Sequence, residues 1–202
     1  MTLAEKLAIL GTNTQKVYAS GIAAEYDRFW DAYQQRGNRT VYTYAFAGTG
    51  WTDAIYNPKY PIKHVGTATS NLFNGNSVIT DTKVTIDVTG GNLQMGFANC
   101  SSLKTIPLII CDENTPFDSA FASCRKLEHI RFDGIIGKSV SFSACTLLTA
   151  ESIDSILSHL GGTATSTLTL PSVAPTTYDA VYGAGSFEAR VNARPSNWTI
   201  AY

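Results

Sequence analysis

One pattern, returned four times between Leu72 and Leu148, constrains this chain more than any other feature. Phe97, Cys100, Leu103, Ile106 and Leu108 stand at offsets 0, 3, 6, 9 and 11, and Phe121, Cys124, Leu127, Ile130 and Phe132 repeat them 24 residues later. An earlier copy, Phe73, Asn76, Ile79 and Val84, lies 24 residues upstream, with polar Thr82 in the fourth slot. A later copy, Phe142, Cys145, Leu148 and Ile153, follows 21 residues on, with Glu151 in that slot. A unit of this size cannot bury its apolar face alone, so copies must stack and each must cover the next. Alternation points Ile106, Leu108 and Ile110, then Ile130 and Phe132, inward along short strands. Thr105, Pro107 and Ile109, then His129, Arg131 and Asp133, face outward. Phe97, Phe121 and Phe142 are expected to stack as an aromatic column, and Cys100, Cys124 and Cys145 as a column of small buried thiols.

The period and the spacing Leu103-x-x-Ile106-x-Leu108 and Leu127-x-x-Ile130-x-Phe132 resemble leucine-rich repeats, which recur every 20–29 residues, roughly. The expected fold class is therefore α+β, a short leucine-rich-repeat-like solenoid with an N-terminal helix and a C-terminal α/β cap. The divisions are an N-terminal helix over 1–37, an aromatic-rich strand and loop segment capping the solenoid over 38–71, the solenoid over 72–160, and the cap over 161–202.

The flanks support those divisions. Thr2-x-x-Glu5 is a capping box opening a helix whose stripe Leu3, Leu7, Leu10 and Val17 repeats at heptad spacing. A second stripe, Ile22, Tyr26, Phe29 and Tyr33, carries the helix to about Arg36, and Gly37-Asn38 stops it. The first stripe either pairs with copies of itself, or with a larger assembly, or folds back as a cap on the first turn. Residues 18–60 hold half of the chain's aromatic side chains, Trp30 and Trp51 among them. They pack against the first turn or serve as a platform for sugar rings. After the fourth copy, Thr149 to Leu160 reads as a helix with Thr149 as N-cap, Thr165 to Leu170 as a strand, Thr177 to Ala193 as one further helix, and Asn197 to Tyr202 as a final strand.

Charge and reactive residues narrow the function. Charged residues make up 15% of the chain, below the roughly 25% usual in soluble domains, and a net charge of −1 with no basic run gives nucleic-acid binding little electrostatic support. No apolar stretch reaches the ~18 residues needed to cross a membrane. The N-terminus lacks a basic region leading into an apolar core, so assembly in the cytoplasm is expected, the alternative being a leader removed beforehand. The cysteines at 100, 111, 124 and 145 form no C-x-x-C pair and no metal-site spacing, and are expected as reduced thiols. His64, His129 and His159 stand apart from any carboxylate or cysteine partner that would suggest a triad. Asp81, Asp87, Asp112, Glu113 and Asp118 are scattered in turns rather than paired for glycoside hydrolysis. No cofactor, metal or catalytic residue is expected, and an enzyme is not.

The repeats in "FANCSSLKTI" and "FASCRKLEHI" resemble the BspA-type leucine-rich repeats of bacterial surface proteins. The flanks "KVYASGIAAEYDRFWDAYQQRGNRTVYTYAFAGTGWT" and "NWTIAY" are similar to prophage-encoded proteins of anaerobic Gram-positive bacteria, found in phage tail regions. That resemblance implies a virion component of the tail, tail tip or fibre. Its expected partners are other tail proteins or further copies of itself, and a host-surface protein or glycan, with no nucleic acid and no membrane insertion. The expected binding face is the outward row Asp81, Lys83, Thr105, Pro107, His129 and Arg131, and the expected assembly device is the stripe Leu3, Leu7, Leu10 and Val17. The alternatives are a bacterial surface adhesin and, more remotely, a carbohydrate-active enzyme built on the aromatic segment.

Overall fold

The computed structural model describes residue 53, residues 61–63 and residues 70–202. The expected N-terminal helix, its stripe Leu3, Leu7, Leu10 and Val17, nearly all of the aromatic segment, and His64 lie outside the described residues.

In chain order the elements are β1 (Ile62–Lys63), β2 (Ile86–Asp87), β3 (Thr105–Cys111), β4 (His129–Gly134), β5 (Val140–Ser141), α1 (Ala150–Ser158), β6 (Ser166–Thr169), α2 (Ala174–Tyr182), α3 (Ser186–Asn192) and β7 (Trp198–Ala201). They form two separate sheets, β1-β2-β3-β4 and β5-β6-β7, in which every pair is parallel. The register follows the repeat: Ile86 opposes Ile109, and Thr105 opposes His129. Parallel neighbours cannot be joined by a tight hairpin. The half of each repeat that begins at the phenylalanine supplies the return.

Those return loops stack. The rings of Phe73 and Phe97 lie 5.4 Å apart, Phe97 and Phe121 5.8 Å, and Phe121 and Phe142 4.5 Å, with planes within 19° of parallel in each case. Backbone hydrogen bonds link successive loops, Phe73 N to Gly96 O at 2.6 Å and Phe97 N to Ala120 O at 2.9 Å. The cysteine slot has its own bond: Cys100 Sγ donates to Phe73 O at 3.1 Å and Cys124 Sγ to Phe97 O at 3.0 Å. Cys145 Sγ reaches Phe121 O more loosely, at 3.8 Å. All four thiols are free and buried. A small apolar side chain with one weak donor fits a dry position beside a carbonyl.

The expected leucine-rich-repeat-like solenoid is nevertheless not the architecture. The ladder does not run through residues 72–160; it ends at β4, and the rest of the chain is three helices and a second sheet. The fourth copy marks the change. Phe142, Cys145 and Leu148 keep their buried places, but Ile153 sits on α1 instead of a strand. Thr149 caps that helix by accepting a hydrogen bond from Ser152 N, Glu151 favours its first turn, and its buried positions Ala150, Ile153, Ile156 and Leu157 have helical spacing. The helix lies along β4 and closes its edge with side chains: Ile130 N donates to Ser152 Oγ and Phe132 N to Ser155 Oγ, each at 3.0 Å. Ser152 Oγ in turn donates to Glu128 O at 2.9 Å. Two serines three apart thus do what the next strand would have done.

Two local expectations also change. The inward alternation of Ile106, Leu108 and Ile110 fails after Ile106: Ile109 is fully buried, whereas Leu108 and Ile110 are only partly so. The register of β3 against β4 shifts between Ile106 and Ile109, and Pro107, which has no N–H for the ladder, stands at the shift. The single helix expected over 177–193 is two helices. Gly183 and Gly185 adopt φ of +99° and +79°, and Asp179 caps the second helix by accepting from Gly185 N at 3.0 Å and Phe187 N at 2.8 Å. The two helices pack beside α1 through a partly buried contact in which Asp154 Oδ1 accepts from Arg190 Nε and from Tyr178 OH, both at 2.8 Å. One hydrophobic core runs from Ile62 to Trp198 across both sheets.

Candidate functional site

The outward row of β3 and β4 meets the first turn of α1 in an open groove of about 550 Å³. Its walls are Thr105 and Pro107 from β3, His129 and Arg131 from β4, and Thr149, Glu151 and Ser152 from the helix start, over Ile106 and Ile130. Strand register explains the first four, since Thr105 opposes His129 directly. The helix start is fixed beside them by the hydrogen bond from Thr149 N to Glu128 O at 3.0 Å and by the bonds of Ser152 to β4.

The expected face is therefore divided. Thr105, Pro107, His129 and Arg131 come together at the groove. Asp81 extends the row through a bridge to Thr105, but its backbone N–H donates to Asp53 Oδ1 at 3.3 Å and the Lys83 side chain turns toward Asp53 as well. Asp81 Oδ1 accepts from Lys83 N at 2.6 Å, and Lys83 Nζ donates to the backbone oxygen of Asp53. Burial pushes the Asp53 carboxyl up, but hydrogen bonds from Thr80 and Asp81, with help from Lys83, outweigh it and hold the carboxyl below its ordinary value. That corner is a self-satisfied structural cluster.

Glu151 and Ser152 were not among the expected face residues. The polar fourth slot at Glu151 was the available signal, because it marks the point where the strand pattern fails and a helix start takes its place. Around the groove, Lys104 Nζ and His129 Nε2 each stand 4.0 Å from a Glu128 carboxylate oxygen. The pairs are exposed, and such contacts contribute no more than about 1 kcal/mol. Arg131 and Glu151 are both exposed.

The hydroxyls that α1 brings to the groove, those of Thr149 and Ser152, are committed to structure. Thr149 Oγ1 accepts from Ser152 N, and Ser152 Oγ both accepts from Ile130 N and donates to Glu128 O. Among the described residues neither hydroxyl is hydrogen-bonded to a base that would activate it as a nucleophile. Nor are the thiols reactive: burial pushes Cys124 and Cys111 up to about 12, Cys111 further raised by Asp112 and Asp133, and burial likewise raises Cys100 and Cys145. His159 lies away from the groove, its Nδ1 2.7 Å from Ser155 O. Among the described residues no group of three or more His, Cys, Asp or Glu could hold a metal ion, and no helix is long and apolar enough to cross a membrane. A second, smaller concavity of about 210 Å³ lies over β5 and β6, lined by Ser139, Ser141, Thr167, Thr169 and the turn at Asp118 and Ser119.

No protein-family model matches the chain, and neither the characterised proteins nor the solved structures include a significant match to it.

Proposed function

We propose that this chain is a non-enzymatic structural component of a phage virion, placed in the tail region, that contacts the host surface through the groove between β3, β4 and α1. One observation carries the recognition half of this reading: a concave surface of about 550 Å³ gathers exposed His129, Arg131 and Glu151 around small side chains, with the hydroxyls of Thr149 and Ser152 already engaged. Concave sites with a few convergent polar groups are where ligands bind. The placement in a phage particle is supported by the sequence resemblance of the two flanks alone. In this reading the protein is assembled in the bacterial cytoplasm, and its other partners are tail proteins or further copies of itself.

Attachment of the purified protein to host cells tests the reading. The double substitution His129→Ala with Arg131→Ala removes the two basic groups of the groove from exposed positions on β4. Attachment is expected to fall at least about tenfold, the loss of one or two charge-assisted contacts, with an unchanged thermal unfolding transition. Attachment equal to that of the parent would exclude the groove as the contact surface.

A further inference from the structure

Two walls of the groove carry opposite charges that no other described residue pairs. Arg131 stands on β4 and Glu151 in the first turn of α1; both are exposed, both line the groove, and neither forms an ion pair or side-chain hydrogen bond with another described residue. The neighbouring basic side chains differ, since Lys104 Nζ and His129 Nε2 each stand 4.0 Å from a Glu128 carboxylate oxygen. A purely anionic ligand seated on Arg131 would also face the Glu151 carboxylate. A purely cationic one on Glu151 would face the guanidinium. Only a ligand carrying both signs complements both walls.

Size and shape narrow the class. The volume of about 550 Å³ suits a small molecule or a chain of a few residues. Among the described residues no Phe, Tyr or Trp lines the groove, so its described walls offer a neutral sugar ring no such face to stack on. Strand addition is also closed here, because Ser152 and Ser155 already occupy the Ile130 and Phe132 amides at the edge of β4. Recognition at this place must run through side chains.

We propose that the groove binds a zwitterionic ligand, an amino acid or short peptide with a free ammonium and a free carboxylate. The carboxylate pairs with the Arg131 guanidinium, which presents its donors as a fork, and the ammonium pairs with Glu151. This assignment rests on reading the groove as a recognition surface and names the chemistry that it recognises.

The test is a titration of the full chain with trialanine bearing free ends, followed by backbone amide shifts. Saturable shifts are expected around Thr105, His129, Arg131 and Glu151, and N-acetyl-trialanine amide should bind at least about tenfold more weakly. Arg131→Gln should abolish the preference for a free over an amidated C-terminus, and Glu151→Gln the preference for a free over an acetylated N-terminus. That paired loss of discrimination is not what a merely destabilised fold produces. Absence of saturable shifts with trialanine, or equal affinity for the blocked peptide, overturns the proposal. If trialanine fails while cell attachment still falls in the His129→Ala, Arg131→Ala variant, the zwitterion is wrong and the recognition face stands. If trialanine binds while attachment is unchanged, the site stands and the host-contact reading falls.

Discussion

Each of the first three return loops holds two residues in the left-handed backbone region, at positions that recur with the repeat, and the fourth, at Phe142, holds none. Asn71, Met95 and Ser119 have φ of +66°, +52° and +54°, and Gly75, Asn99 and Ser123 have φ of +75°, +62° and +63°. The cause lies in the stacking. In these conformations the amides point at the next loop, Asn71 N to Gln94 O at 2.8 Å, Met95 N to Asp118 O at 2.9 Å and Asn99 N to Ala122 O at 2.8 Å. The left-handed region costs an ordinary L-residue about 1–2 kcal/mol, and Asn or Gly less. Met95 is the odd member, a long apolar side chain 40% exposed, so it suffers the strain with little burial in return. Met95→Asn is expected to raise stability by roughly 0.5–1 kcal/mol, seen as a higher urea midpoint at an unchanged slope. Gly134 provides the opposite case. Its φ is +86°, and an added Cβ would stand 2.0 Å from the Cys111 carbonyl oxygen, a backbone atom that cannot rotate away. Gly134→Ala should lower stability by more than about 2 kcal/mol in the same titration, and equal midpoints for the two variants would refute this account of the loops.

At the scale of elements, the decisive event is the exchange of a strand for a helix at the fourth repeat. Ser152 is 3% exposed and satisfies two backbone groups of the β4 edge, Ile130 N–H and Glu128 C=O, whereas half-buried Ser155 satisfies only Phe132 N–H. A buried backbone group left unpaired costs about 1–3 kcal/mol. Ser152→Ala should therefore destabilise by about 2 kcal/mol and Ser155→Ala by about 1 kcal/mol, with faster hydrogen exchange at the Ile130 and Phe132 amides respectively. A negligible cost in both variants would mean that the helix is held to β4 by its apolar face alone. This exchange also shows what the residues disclosed in advance. The offsets of phenylalanine, cysteine and leucine report burial, and so the stacked rings and inward thiols were legible from Phe97 to Cys145. They do not report backbone conformation: Leu148 and Ile153 fit a repeat copy and a helix equally well, and the cap at Thr149 decides for the helix. Nor could alternation foresee the shift at Pro107, which depends on a missing donor in a particular ladder. The groove was half legible for the same reason. Its strand wall follows from a period of two, but Glu151 and Ser152 join it only because α1 lies along β4.

At the scale of the whole molecule, the described residues form one continuous core from Ile62 to Trp198, in which β5, ahead of α1, pairs with β6, beyond it. Such a body has no internal joint at which its two sheets could separate without exposing Phe142, Leu168 or Trp198, all buried to within 1%. The proposed tail placement therefore requires assembly through a surface, and the heptad stripe Leu3, Leu7, Leu10 and Val17 is the sequence feature with the right form for it. Leu7→Glu with Leu10→Glu places two charges on that stripe while leaving the chain full length, and charged residues on a coiled-coil seam oppose pairing strongly. The intact protein is expected to have an oligomeric solution mass, by light scattering, and the variant the mass of a monomer. The thermal transition should be read beside the mass. A lower mass with a native-like transition separates loss of assembly from loss of fold, as the proposal requires. A monomeric mass for the parent itself would remove the stripe as an assembly device, and virion incorporation would then have to proceed through a surface of the sheet-and-helix body, such as exposed Tyr182 and Tyr202 near the chain's C-terminal end.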